Sequence, residues 1–409
     1  MKVRALVLTA LLVVSLVGAA AAPAAATQEG EAYSGTHVQF QTQNDAVTGY
    51  AVNDAVIVEN VSVQSADEAR SQTGLGVEVG ISTATNIVGA ALESRTEAAA
   101  SVQLGFESGA EMQTHDNNRG VFQVRAGSGS QMVQANLSNS VQANSESEER
   151  VVVTKDDGSQ GTFIVVGDGE VVVNDEGNVT AEVEEGSQLV YRQYTDGERT
   201  EDDEQQERMI QNGTATAEVY IESAAESGQD SADDGEDAAT SVVEYGQDTT
   251  VDVTTRAESE VNMTVERTQS QGKVVLTSVS EEAISNAEDI EVFVDGNAAA
   301  QAGSYSEVEQ SAMEGDEPRY YVSQSASAET TTNVAIGIDH FSERNVRMSS
   351  AQEDASTATD EPTATDSSDT ETTEGSSGDD GTTDGDGAGF GALAAMSALA
   401  AALLALRRP

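Results

Sequence analysis

Cysteine and tryptophan are absent from these 409 residues, proline occurs four times, and lysine stands only at Lys2, Lys155 and Lys273. Without cysteine there is no disulfide framework, no thiolate metal site and no cysteine-borne lipid anchor. Basic residues number 19 against 72 Asp and Glu, a formal charge of −53. A phosphate backbone needs a basic footprint, so this balance argues against nucleic acid as a partner. Aromatics make up only 4 % of the chain, and acidity with few aromatics can mean disorder. Hydrophobic residues nevertheless reach 38 %. Many are valines in alternating order, which predicts a folded middle with a solvating surface.

A charge of −53 strains any compact state by self-repulsion at ordinary salt. In molar salt the Debye length shrinks to about 3 Å and most of that repulsion disappears. Excess Asp and Glu with almost no Lys resembles the proteomes of salt-loving archaea.

The middle reads as short strands divided by turns. Val151 to Thr154, Thr162 to Val166, Glu170 to Val173 and Val179 to Val183 are β-branched runs, punctuated by Asp157-Gly158, Asp168-Gly169 and Glu176-Gly177. Asp-Gly favours tight turns because both residues tolerate positive φ. Period-2 spacing puts Leu75, Val77, Val79 and Ile81 on one sheet face. The same holds for Val102, Leu104 and Phe106, for Val261, Met263 and Val265, and for Ile290, Val292 and Val294 before the turn Asp295-Gly296-Asn297. Helices are few. Thr200 with Asp203 forms a capping box, Glu204 faces Arg208 and Gly213 ends the turn. Ser280 to Ala287 and Ser306 to Met313 are further short candidates. The expected class is all-β, with antiparallel β-sandwich-like domains as first choice and a β-solenoid as the alternative. The expected division is a leader over 1–26, a β domain over 27–197, a helical insert over 198–213 and a second β domain over 214–350.

The remainder of the division concerns the ends. Lys2 and Arg4 precede the apolar stretch Ala5 to Gly18, and small residues follow, with Ala20-Ala21-Ala22 or Ala24-Ala25-Ala26 as the cut. This is the pattern of a secretory signal read by signal peptidase. Residues 351–387 carry twelve acids, nine threonines and no Lys or Arg, so they predict a disordered stalk. Its r.m.s. span would be about 35 Å and its stretched reach roughly 130 Å. Over 388–409, Ala388 to Leu406 is uncharged and Arg407-Arg408 follows. As a helix that run is about 28 Å long, near the ~30 Å hydrocarbon core of a bilayer. The arginines suit the cytoplasmic side.

Ala388-Gly389-Phe390, the apolar run from Gly391 to Leu406 and Arg407-Arg408 together resemble the PGF-CTERM sorting signal of haloarchaeal surface glycoproteins. Ala388 stands where that signal has Pro. The resemblance implies removal of the helix by a membrane archaeosortase and a lipid attached near the cut. The site residues it marks are Gly389, Phe390, Gly391, Arg407 and Arg408.

Catalytic motifs do not emerge. His37, His115 and His340 are far apart, with no HExxH, GxSxG, Walker-type loop or strand-borne GxGxxG. His340-Phe341-Ser342 follows a strand and reads best as a core-closing Phe beside an ordinary His. No cofactor is expected unless it is Ca2+. Asp230, Asp233, Asp234, Glu236 and Asp237 cluster around Gly235, but Ala232 and Ser241 break the EF-hand register. Asn60, Asn136, Asn178, Asn212 and Asn262 head Asn-x-Ser/Thr sequons and are candidate N-glycan acceptors. The expected protein is therefore a non-enzymatic surface glycoprotein, membrane-anchored at its C-terminus, with a structural, envelope or adhesive role among other envelope proteins. The alternative is an extracellular module binding calcium, a glycan or a surface partner; an extracellular hydrolase is a third reading.

Overall fold

The computed structural model describes residues 31–350 except 74–79, 99, 195–196, 224–237, 258–259, 282–283, 285–288, 316 and 325–330. These residues form a mostly β body that belongs to one compact unit. The stalk, the closing apolar run and the first thirty residues lie outside the described residues. Among those described, no helix is long and apolar enough to cross a membrane.

Alternating Val, Ile and Phe first build the strands β1 (Ala32–Ser34), β2 (Val38–Thr42), β3 (Val47–Val52), β4 (Ala55–Ser65), β5 (Leu92–Ala98), β6 (Ser101–Phe106), β7 (Ala110–His115) and β8 (Phe122–Ala126). There follow β9 (Gln131–Leu137), β10 (Val141–Ser147), β11 (Arg150–Lys155), β12 (Gln160–Val166), β13 (Gly169–Val173), β14 (Val179–Val183) and β15 (Gln188–Gln193). They form sheet A, ordered β1-β2-β3-β4-β9-β14-β13, and sheet B, ordered β10-β11-β12-β15-β8-β7-β6-β5. Their inward residues make one core, including Val61, Val133, Val179, Leu104, Val124 and Leu189. At its centre Phe122 contacts Tyr50, Phe163 and Tyr191, with ring centroids 5.0, 6.0 and 5.3 Å away. Such ring pairs contribute about 0.5–1.5 kcal/mol beyond burial of their area.

The second half supplies β16 (Ala215–Ser223), β17 (Ala238–Glu244), β18 (Thr249–Ala257), β19 (Glu260–Arg267), β20 (Gln271–Ser280) and β21 (Ile290–Val294). The last strands are β22 (Asn297–Ala298), β23 (Ala300–Gln301), β24 (Arg319–Gln324), β25 (Thr331–His340) and β26 (Glu343–Ser350). Sheet C runs β17-β16-β20-β25-β24-β23 and sheet D runs β18-β19-β26-β21-β22. Val261, Met263, Val265, Ile290, Val292 and Val294 all enter the core between them, and Phe341 closes it while His340 stays exposed. Asp295 and Gly296 take positive φ of 51° and 78° in the tight turn that joins β21 to β22.

Three helices complete the body: α1 (Ala66–Thr73), α2 (Glu201–Gln211) and α3 (Tyr305–Glu314). The Thr200–Asp203 capping box opens α2, and Ser306 to Met313 falls inside α3. Most of the run from Ser280 to Ala287 lies outside the described residues; Ser280 itself closes β20.

Two readings need correction. The sheets form no solenoid, because most strands turn back onto an antiparallel neighbour in two stacked pairs of sheets. Ile81 is not in a strand but heads a one-turn 3-10 helix, Ile81–Thr83. It packs with Ala84 and Ile87 over Met132, covering the outward face of sheet A. Leu75, Val77 and Val79 lie outside the described residues. Within these antiparallel sheets two pairs are parallel, β16 with β20 and β23 with β24. A parallel pair needs a long crossover, and β17, β18 and β19 supply it for the first.

Candidate functional site at the seam between the sandwiches

Over the central strands β12, β15 and β8 the outward face of sheet B is covered, while Gln103 of β6 and Glu111 of β7 on that face stay exposed. Val121, Ile164 and Val190 point away from the first core and pack with Met209 and Ile210 of α2, Tyr220, Val243 and Leu276 of sheet C, and Tyr305 and Val308 of α3. The sheets thus stack in the order A, B, C, D. Polar residues of the same alternation are buried with them.

Arg119 and Arg192 are 1 % and 0 % exposed at their side chains, and Glu218 is 2 % exposed. Arg192 Nη2 donates to Glu218 Oε1 at 2.8 Å and to Gln206 Oε1 at 3.0 Å. Arg119 Nη1 donates to Asp203 Oδ1 at 3.3 Å, and its Nε lies 3.8 Å from Glu218 Oε1. The Tyr245 hydroxyl donates to Glu218 Oε2 at 2.6 Å. Burial would raise the Asp203 carboxyl, but the Arg119 guanidinium and the Thr200 hydrogen bonds hold it below the usual carboxylate range. Two guanidiniums thus face two carboxylates in a buried layer, and the charges balance. One helical turn further on, Glu207 accepts from Arg150 Nη1 at 3.0 Å, from Arg199 Nη2 at 2.6 Å and from the Tyr194 hydroxyl. These pairs tie sheet B, Tyr194 and Arg199 to α2.

The β7–β8 loop, Asp116-Asn117-Asn118-Arg119-Gly120, is the hub of the seam. Its Asp116 carboxylate accepts the backbone N–H of Thr36, His37 and Val38 at 2.8, 2.8 and 2.9 Å. The Asn118 N–H donates to Glu222 Oε1 at 3.1 Å. Glu222 Oε2 in turn lies 3.0 Å from His37 Nε2, while His37 Nδ1 lies 3.0 Å from Asn53 Oδ1. Burial depresses the His37 imidazole, but the hydrogen bond and charge of Glu222 outweigh it and lift its pKa to about 9. Both ring nitrogens then donate, and a charged His37 clasps one sandwich to the other. His115, at the end of β7, is 1 % exposed, with Gln123 as the hydrogen-bonding side chain beside its ring. Burial pushes its pKa down to about 4, so it sits neutral in the seam.

The histidines are therefore split among three environments. His37 and His115 line different parts of the seam, and the exposed His340 has Nδ1 2.7 Å from Asp339 Oδ2. The sorting residues Gly389, Phe390, Gly391, Arg407 and Arg408 lie outside the described residues. So does the acidic cluster Asp230, Asp233, Asp234, Glu236 and Asp237. Among the described residues no group of three or more His, Asp or Glu side chains is arranged to hold a metal ion. Asn60 and Asn136 are register partners in mid-strand on β4 and β9. Asn178 precedes β14, Asn262 is half-buried in β19, and Asn212 is exposed in the turn after α2.

The seam residues escaped the sequence reading. Arg192 in Gln-Leu-Val-Tyr-Arg-Gln and Glu218 in Ala-Thr-Ala-Glu-Val-Tyr occupy the polar positions of alternating strands, which normally face water. One signal was present: in a chain with so few cations, an Arg flanked by apolar strand residues has abundant solvent-side substitutes and is better explained by a buried carboxylate. No family model matches the chain, and no curated protein matches it significantly.

Proposed function

We propose that this chain is a secreted surface glycoprotein of a salt-loving archaeon, anchored at its C-terminus and serving a structural, envelope or adhesive role. The observation that carries the reading is the polarity of the sequence. A basic-then-apolar opening lies at one end, and a charge-free run closed by Arg407-Arg408 lies at the other, after an acidic Thr-rich segment. The similarity to the PGF-CTERM signal makes archaeosortase processing and a lipid anchor the expected route. The body fits such a role: two sandwiches joined across a buried seam make a stiff block for display on a stalk. The acidic exterior suits brine.

A second reading, an extracellular binding module, draws on a groove of ≈ 700 Å³ beside the end of α3, lined by Glu307, Gln310, Glu314, Glu317 and Arg319 among others. Its acidic lining favours a cationic or hydroxyl-rich ligand such as calcium or a glycan. Thermal unfolding separates the two. A specific ligand raises the midpoint by mass action at low concentration, whereas a purely structural body responds only to bulk salt. The anchoring itself is tested by fractionating cells and determining the mature C-terminus by mass spectrometry. A lipid-modified end near Gly389 supports sorting, an intact Arg407-Arg408 end at the membrane supports a plain span, and release into the medium with neither overturns anchoring.

A further inference from the structure

Among Asn60, Asn136, Asn178 and Asn212 the geometry points to Asn212 as the N-glycan acceptor, with the other three left bare; we infer this on the premise that the chain is exported. Asn60 and Asn136 face each other across β4 and β9. Asn178 extends the same row, since Val179 pairs with Ala135 one position on. All three are half-buried on the outward side of sheet A. Neighbouring strands run about 4.8 Å apart, so a sugar on one of these asparagines lies against the other two. The adjoining row is roofed: Gln134 Oε1 accepts the Ile87 N–H at 2.7 Å, and the Thr180 hydroxyl donates to the Ala84 carbonyl at 3.0 Å. Thr180 is the sequon hydroxyl of Asn178 and is fully buried.

Asn212 differs in the exposure of the asparagine itself, although its sequon threonine, Thr214, is buried as Thr180 is. It is exposed at the C-cap of α2, and Gly213 after it takes φ +70° with open space around it. Asn212 Oδ1 accepts the Thr214 N–H at 2.8 Å, and Nδ2 donates to Glu309 Oε1 at 3.2 Å. The Thr214 hydroxyl donates to the same Glu309 oxygen at 3.1 Å. Amide and hydroxyl of this sequon are thus held together by one carboxylate. Glycosyl transfer forms a bond from Nδ2 to the anomeric carbon of a lipid-linked oligosaccharide. The anomeric carbon–oxygen bond to the lipid phosphate breaks, that phosphate leaves, and one amide proton passes to a base of the transferase. The product amide keeps one N–H for Glu309 and an untouched Oδ1 for Thr214, so the turn retains its hydrogen bonds. The glycan then projects from the rim of the seam, where Lys273 Nζ donates to the Gly213 carbonyl at 2.6 Å.

The test is glycopeptide mass spectrometry on the full chain recovered from its own cells, beside Asn212→Gln, Thr214→Ser and an Asn60→Gln/Asn136→Gln/Asn178→Gln triple variant. Thermal unfolding of each variant checks that it folds. The expected result is glycan at Asn212 in the wild type, its complete loss in Asn212→Gln, and its retention in Thr214→Ser and in the triple variant. Exported protein with Asn212 unmodified or converted to Asp, or with sugar on Asn60, Asn136 or Asn178, overturns the assignment and leaves the surface reading standing. Chain retained in the cytosol with its first residues uncut overturns both.

Discussion

Replacing Arg192 by Met removes one cation from the buried layer between the sandwiches and keeps its bulk. Glu218, 2 % exposed, then loses its 2.8 Å partner and keeps tyrosine hydroxyls, Tyr245 foremost, and a guanidinium nitrogen at 3.8 Å. Gln206 Oε1 loses its 3.0 Å donor at the same time. Breaking a buried pair from one side costs about 3–5 kcal/mol, because the remaining charge stays desolvated. Adding Glu218→Gln removes that stranded charge while leaving an acceptor for Tyr245, and Arg119 still has Asp203. The double variant should therefore recover most of the loss, giving a coupling of at least about 2 kcal/mol. Urea unfolding in molar sodium chloride, followed by tyrosine fluorescence, measures it. High salt screens surface pairs and spares buried ones. A single-variant cost below about 1 kcal/mol, the value of an exposed pair, or costs that simply add, would refute a buried seam.

Four further outcomes follow from the same structure and its charge. His115 is held near pKa 4 when folded against its ordinary 6.5, so the unfolded chain takes up the proton first. About 3 kcal/mol of stability is lost as pH falls through that window, and His115→Gln should flatten this acid limb in pH-resolved urea melts. The His37 clasp has the opposite sign: with a folded pKa of about 9, its contribution is complete below pH 6.5 and fades as pH rises through 9, and His37→Gln should remove that alkaline slope. Gly272 of β20 runs beneath α3, where a Cβ would overlap the Ala312 and Asp339 carbonyl oxygens; Gly272→Ala should cost about 1–3 kcal/mol, read as a fall in the calorimetric midpoint. With a formal charge of −53, that midpoint should climb steeply between low and molar sodium chloride, and a flat response would contradict the picture of a repulsion-strained surface.

Alternation made most of the fold legible. Val102, Leu104 and Phe106, or Ile290, Val292 and Val294, enter a core because period 2 admits only one arrangement once a face is buried. The cap at Thr200 was equally readable, being local chemistry. Ile81 was misread because a short apolar stretch that lies over a sheet has the same hydrophobic count as a strand within one. The seam stayed hidden for a different reason. Arg192, Glu218 and Gln188 look like a wet face, and only the packing of sheet B on sheet C, across nonlocal sequence, makes that face interior. The parallel β16–β20 pair was hidden likewise, since no local pattern distinguishes it from an antiparallel neighbour.

The central claim, that this body is displayed outside the cell and held there by its C-terminal end, is tested most directly by protease shaving of intact cells with sequencing of what is released and what stays behind. The account predicts that body peptides from both sandwiches are freed while the cells remain sealed, that the first peptide begins after Ala22 or Ala26, and that the residual anchor carries the 351–387 segment. Body peptides recovered only after lysis, joined to an uncut Met1-Lys2-Val3 end, would contradict it.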